Sequence, residues 1–144
     1  MIPTPDFRVV LDTNVLLVSV SSHSAYHWIF QKLIQGQYQL CVSNEILWEY
    51  EEILSRMWNA EVAKNVVRTL LLLPNVSLVQ IYYHWQLIQN DLDDNKFVDC
   101  AAAANAHVLV THDHDFDILK TIEFPKLHLA TVAEFRQLLL SHTK

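Results

Sequence analysis

Short runs of consecutive apolar residues alternate along this chain with longer stretches in which apolar residues return every three or four positions. The runs are Phe7 to Leu11, Leu40 to Val42, Ser77 to Tyr82, His107 to Thr111 and His128 to Ala130. Runs this short, apolar on both faces, predict strands of a covered parallel sheet. Between the first two lie Val15 to Val20 and Ala25 to Leu33, separated by the polar break SSHS; Gly36, the chain's one glycine, is placed to end the second helix. Ser43 predicts the cap of a helix from Asn44 to Met57, with Ile46, Tyr50, Ile53, Leu54 and Met57 on one face. Asn59 to Leu73 has Val62, Val66, Leu70 and Leu73 at helical spacing, and Pro74 stops it. Phe97 to Ala106 is an alanine-rich helix, and Phe116 to Leu119 a short helix or turn. Thr131-Val-Ala-Glu134 has the form of a capping box opening a last helix, with Phe135, Leu138 and Leu139 inside. The order β, α, α, β, α, α, β, α, β, α, β, α predicts a single α/β domain over residues 1–144, with a mostly parallel central sheet flanked by helices on both faces.

Composition agrees with one ordinary domain: 144 residues, 51% hydrophobic and 18% charged, can fill a single core. No apolar stretch approaches the length of a membrane-spanning helix, and the opening MIPTPDFR lacks the basic start and long apolar region of a leader. The reading is a cytoplasmic protein without membrane contact, its Cys41 and Cys100 buried thiols in a reducing compartment. The formal charge of −6 argues against a generic polyanion binder. The acids are unevenly placed, however, with seven of the sixteen between Asp91 and Asp117. A cluster that takes up divalent cations reverses the local field, and the net charge then stops being a guide to the ligand. Lys64 and Arg68, with Arg56, form the densest basic grouping, and read as a solvated surface. Tyr82, Tyr83 and Trp85 could stack on bases; a core or subunit-interface role is the favoured reading.

Several acids fall where α/β sheets build sites, outside the C-terminal ends of strands. Asp12 follows the first strand, with Asn14 two residues on, and Asp113 follows the fourth. Asp12 can also cap the next helix. Asp91, Asp93 and Asp94 stand at the start of the alanine-rich helix. Glu45, Glu49 and Glu52 lie along the helix after Ser43, where Glu45 and Glu52 read as a solvated face. Carboxylates gathered from distant segments repel one another unless a cation lies between them, and an oxygen-only donor set suits Mg²⁺ or Mn²⁺. Attack of an activated water on a phosphodiester is the usual use of that arrangement. The HDHD stretch at 112–115 suggests zinc, but Phe116 and Asp117 replace the acid and last histidine of the metallo-β-lactamase pattern. His112 and His114 therefore read as exposed loop residues near substrate phosphates. A phosphatase of the haloacid dehalogenase type needs an aspartate where Asn14 stands.

Four stretches, VVLDTNVLL, SNEILWEYEEIL, DLDDNKFVDCAAAANAHVLVTHD and LATVAEFRQLL, together resemble the PIN-domain family, especially its bacterial toxin-like (VapC-like) ribonucleases. The resemblance runs over nearly the whole chain and keeps the motif order. It implies that Asp12, Glu49, Asp94 and Asp113 are the catalytic acids and hold Mg²⁺ or Mn²⁺. Glu49 is chosen because it precedes Tyr50, and Asp94 for its place relative to the LVT strand, with Asp91 and Asp93 as competitors. Asn14 and Thr111 match polar positions that support such a site, and Asp99, about a turn and a half beyond Asp94, is a further supporting candidate. Asp115-Phe116 looks like the family's DF pair, which makes Asp115 a structural cap. The implied function is a metal-dependent endoribonuclease acting on single-stranded or structured RNA, the toxin of a toxin–antitoxin pair held inactive by a small cognate antitoxin. The alternatives are a catalytically weak RNA-binding module and an RNA-processing nuclease without an antitoxin. The aromatic helix from Trp48 to Trp58 suggests a homodimer.

Overall fold

Neighbouring residues of a strand can all be buried only if both sheet faces are covered, and β1 meets that condition. In the computed structural model, which describes residues 5–142, Val9, Val10 and Leu11 of β1 (Arg8–Leu11) are all buried. The first half of MIPTPDFR, on which the absence of a leader was read, and the last two residues of the expected 1–144 domain lie outside the described residues. β2 (Gln39–Val42) and β4 (Val108–Val110) have the same buried runs. With β3 (Val76–Leu78) and β5 (Leu129–Ala130) they form one sheet in the order β3-β2-β1-β4-β5, parallel at every described pair. The chain builds outward from β1 to β3, then returns to lay β4 on the other side of β1. That reversal creates a topological switch point between the ends of β1 and β4, where this architecture opens a crevice.

The helices are α1 (Thr13–Val20), α2 (His27–Ile34), α3 (Asn44–Met57), α4 (Ala60–Leu72), α5 (Asn95–Ala104) and α6 (Val132–His142). Their ends follow local chemistry. Ser43 Oγ accepts the Ile46 amide at 3.3 Å, and Asn59 Oδ1 the Val62 amide at 2.8 Å. The capping box at α6 closes both ways, with Glu134 N donating to Thr131 Oγ1 (3.2 Å) and Thr131 N to Glu134 Oε1 (2.8 Å). Gly36, at φ 76°, lets the Gln37 amide return to the Lys32 carbonyl and ends α2. Asn105, at φ 52°, does the same for α5, where the Ala106 amide reaches the Ala101 carbonyl. In the core, the Phe135 ring of α6 meets Phe7, Trp28 and, edge-on at 5.2 Å, Tyr38. Among the described residues no helix is long and apolar enough to cross a membrane.

The third strand departs from expectation. It ends at Leu78 instead of running from Ser77 to Tyr82, and a long irregular segment follows. The backbone there bonds to side chains of α5 in place of a ladder: the Trp85 amide donates to Asp99, and Asn95 takes both the amide and the carbonyl of Ile88. α5 begins at Asn95, two residues before the expected start, because a 3-10 turn over Leu92–Asp94 leads directly into it.

Asn75 shows how much one buried amide can fix. Its Nδ2 donates to the carbonyls of Leu33 and Tyr38, both at 2.8 Å, while its own carbonyl accepts the Leu40 amide at 2.9 Å. Asn75→Ala is expected to leave the buried Tyr38 carbonyl without its donor, to leave the Leu33 carbonyl with the Gly36 amide alone, and to lower stability by about 2 kcal/mol in urea unfolding. Asn75→Asp should do no better, since a carboxylate cannot donate; a neutral result for Asn75→Ala would show that α2 and β2 are joined by other contacts.

Candidate metal centre

The switch point is assembled by the ends of β1 and β4. The Asp12 amide donates to the Val110 carbonyl at 3.1 Å, so the ladder between these strands runs on into Asp12 itself. Thr111 then ties three segments together: its amide donates to Ala130, its hydroxyl donates to Asp12 Oδ2 at 2.8 Å, and the same hydroxyl accepts the Asp113 amide at 3.0 Å. From below, the buried Tyr50 hydroxyl donates to the Leu11 carbonyl at 2.5 Å. Asp12 is buried and makes no capping bond to α1, so the cap role open to it in the sequence is unused.

Asp94 arrives from the other side, at the junction of the 3-10 turn with α5. It is 9% exposed, and its Oδ2 has no hydrogen-bond partner. Carboxylate oxygens of Asp91, Asp94 and Asp115 all lie within 4.8 Å of one another. This corrects the reading of Asp115 as a cap. The capping carboxylate is Asp113, whose Oδ1 accepts the Asp115 amide at 2.9 Å and starts the 3-10 helix His114–Thr121. Asp115 is thereby left to face Asp94. Asp91 does both jobs, accepting the Asp93 amide at 3.1 Å and joining the cluster.

Glu49 is on α3 at the same edge, but both its oxygens are engaged. Oε2 accepts the Thr13 hydroxyl and Oε1 lies 2.6 Å from Lys96 Nζ. Neither partner stood out in the sequence, although Thr13 adjoins Asp12 and Lys96 ends the acid run DLDDNK. Asp99 is directed elsewhere, its carboxylate holding the His84 ring at 3.0 Å and the Trp85 amide at 2.9 Å. The reason is helical geometry: five residues turn a helix by about 140°, so Asp94 and Asp99 leave α5 on different faces. Asn14 is exposed beside Asp12 and Asp113, lining a hollow of about 300 Å³. His112, expected near substrate, accepts the Val132 amide at 3.1 Å and steadies the start of α6, whereas His114 pairs with Asp117 on the surface. Glu52 pairs with Arg56 at 2.8 Å on the solvated face expected of it.

The electrostatics follow from this crowding. Burial raises the Asp94 carboxyl from the ordinary 3.8 to about 7, and the charges of Asp91, Asp113, Asp12 and Asp115 push in the same direction. Burial also raises Asp12; the Thr111 hydroxyl and the Thr13 amide oppose that shift, while Asp113 and Glu49 add to it. A hard divalent cation fits this donor set. The unpartnered Asp94 Oδ2 is a buried oxygen without a proton donor, and opposite oxygens around Mg²⁺ are about 4.2 Å apart, so a 4.8 Å cluster closes with small side-chain shifts.

Residues 8–115 match the family model described as PIN domain. Among curated proteins, none matches the sequence at a significant level. The fold is similar to a chain of the VapBC2 complex of Rickettsia felis, solved with a DNA fragment from its promoter: TM-score 0.60, 20% identity, covering 87% of this chain and 98% of that one. It is also similar to Mycobacterium tuberculosis VapC20, a toxin that cleaves the sarcin-ricin loop, with TM-score 0.59, 14% identity and coverage of 83% and 98%. VapBC-1 of nontypeable Haemophilus influenzae gives TM-score 0.55 at 18% identity, with coverage of 88% and 99%.

The raised Asp94 carboxyl has a measurable consequence for stability. Because its folded value lies above its unfolded one, the folded protein binds more protons between about pH 4 and pH 7, and the stability held at the acid end of that window is lost as pH rises through it. In EDTA the melting temperature should fall across this interval and then level off. Asp94→Asn should flatten the slope and raise the melting temperature at pH 8 by on the order of 5 °C. A wild-type curve that rises from pH 4 to pH 7 would show that Asp94 does not carry an unfavourable charge.

Proposed function

Because the chain belongs to the PIN-domain family, we propose that it is a metal-dependent endoribonuclease and the toxin of a toxin–antitoxin pair. The observation that carries this reading is the convergence of Asp12, Asp94 and Asp113 at the switch point, with a buried Asp94 oxygen lacking any proton donor. Asp94, Asp91 and Asp115 would hold Mg²⁺ or Mn²⁺, with Asp12 and Asp113 beside them. When bound, the ion supplies a nucleophilic water near neutral pH and charge stabilisation at the phosphodiester. The protein's own part is orientation. Thr111 fixes which oxygen of Asp12 faces inward and holds the Asp113 backbone at a set distance from it. Thr13 and Lys96 hold Glu49 at the rim, where Lys96 also offers a cation for a substrate phosphate. Asp99 acts as a positioning residue for the 84–85 backbone, outside the acid cluster.

An antitoxin partner is supported by the VapBC complexes among the similar structures. An acidic crevice suits a partner tail that brings Arg or Lys into it. The exposed Trp48 of α3 offers an apolar side chain to a second copy, in keeping with a homodimer. A second reading, an RNA-binding module with little turnover, has one observation in its favour: Lys96 already neutralises Glu49, one of the four acids the family uses.

The deciding experiment incubates purified protein with a mixed RNA pool in Mn²⁺, in Mg²⁺ and in EDTA. Cleavage is expected only with metal, and Asp12→Asn and Asp94→Asn should each slow it by at least about 100-fold while leaving the fold intact. RNA that is bound but never cut would move the assignment to the binding module. A variant cutting at the wild-type rate would remove that acid from the site.

A further inference from the structure

The segment between β3 and the 3-10 turn at Leu92 lies outside the sheet, yet it is firmly anchored. Asp99, 4% exposed, gives one oxygen to the Trp85 amide and the other to the His84 ring, and Asn95 clamps Ile88 through its amide and its carbonyl. A buried carboxylate is costly unless hydrogen-bonded, and the partners that meet that need for Asp99 come from this segment. What the anchoring displays is aromatic: Tyr82 is 88% exposed, and Tyr83 stacks on Trp85 with centroids 4.6 Å apart and planes 15° from parallel. Phe124, 79% exposed, comes from the loop before β5 and meets Trp85 edge-on at 5.6 Å. These rings wall a cavity of about 650 Å³ on α5, with Asn105 and Lys126 at its margin.

Granting the ribonuclease reading above, on which the choice of ligand rests, we propose that this aromatic cavity is a platform for unpaired nucleobases of an RNA strand that runs along α5 to the acid cluster. Three observations favour that occupant. Rings held in place before binding are what base stacking requires, and stacking accepts any base. Charge is permissive here, on a chain of net charge −6: the one carboxylate lining the cavity is Asp99, which is buried and bonded, and Lys126 and the exposed His84 flank it. Shared lining residues also connect the cavity to the rim of the candidate site at Glu49. The cavity shares Asp99 with a neighbouring hollow of about 760 Å³ that extends to Asp93 and Lys96, and those two residues also line the hollow beside Glu49. The length of α5, about 15 Å for ten residues, spans a few nucleotides. The platform therefore selects single strands and places the scissile bond a fixed distance from the stacked bases.

The test is fluorescence anisotropy with a labelled short single-stranded RNA in EDTA, so that binding is read without cleavage. The wild type should bind the single strand more tightly than a duplex of the same sequence, and Tyr83→Ala combined with Phe124→Ala should weaken single-strand binding about tenfold. Tyr82→Ala, a change at a side chain almost wholly in solvent, serves if the double variant does not fold, with a smaller loss in the same direction. RNA carrying 5-bromouridine should cross-link to peptides covering 80–85 and 124–127. Unchanged affinity in the variants, no single-strand binding by the wild type, or cross-links confined to other surfaces would overturn the proposal. So would loss of self-association with RNA affinity unchanged, which would assign these rings to a protein contact. Cleavage with Mn²⁺ is read separately, so an inactive protein that still binds through these rings would defeat the nuclease reading and leave the platform.

Discussion

Repulsion among carboxylates gathered at one end of a parallel sheet is the constraint on which the rest of the molecule depends. Strand order brings Asp12 and Asp113 to the same edge, because β4 lies directly beside β1 and an acid follows the C-terminal end of each. The chain then adds Asp94, Asp91 and Asp115 from the start of α5 and the loop after β4, raising the local charge around the buried Asp94 carboxylate. Every neighbouring contact can be read as a way of living with that charge. Thr111 donates to Asp12, backbone amides donate to Asp91 and Asp113, and Lys96 faces Glu49. Among the described residues Asp94 Oδ2 is the one fully buried side-chain polar atom left without a partner, which is the arrangement that a proton or a cation from outside the chain can satisfy. A fold that holds such a group gives up stability for it, as functional sites commonly do.

The fold was legible because its signals are local and redundant. Runs such as Val9 to Leu11 and Val108 to Val110 can hardly be anything but covered strands, and caps at Ser43, Asn59 and Thr131 mark helix starts within a residue or two. The third strand was misjudged for a physical reason. Ser77 to Tyr82 has strand composition, but its later backbone is left irregular while the residues beyond it are captured by Asp99 and Asn95, just over one helical turn apart on α5. Nothing in the residues around Tyr82 announces that capture. Long-range side-chain-to-backbone bonds leave no periodic trace in a sequence.

The site was legible in its strand-end members and less so in its roles. Asp12 and Asp113 follow from the rule that sites form beyond C-terminal strand ends, and both stand there. The motif separates Asp113 from Asp115 and makes Asp115 the cap, whereas in the structure the capping carboxylate is Asp113 and Asp115 faces Asp94. The deciding feature is which carboxylate folds back on its own turn, a choice of rotamer between residues two apart that composition cannot encode. Thr13 and Lys96 passed unnoticed because their partner, Glu49, is distant in the chain.

Asp94 and Asp99 make the same point more sharply, since they are identical residues, five positions apart along one helix and both buried. One is given two hydrogen-bonding partners by the chain, and becomes part of the scaffold that fixes Trp85 and His84. The other is given none at Oδ2, is surrounded by like charge, and is favoured as the neutral acid or beside a foreign cation. Rotation along the helix sends them to different faces, so a single element carries both the anchor of the aromatic segment and the most strained member of the acid cluster. Displacing α5 would disturb both at once. The rigidity that Asp99 and Asn95 impart to the 84–88 backbone is therefore also a constraint on where Asp94 stands, and it links the outer surface of this domain to its chemistry through one short helix.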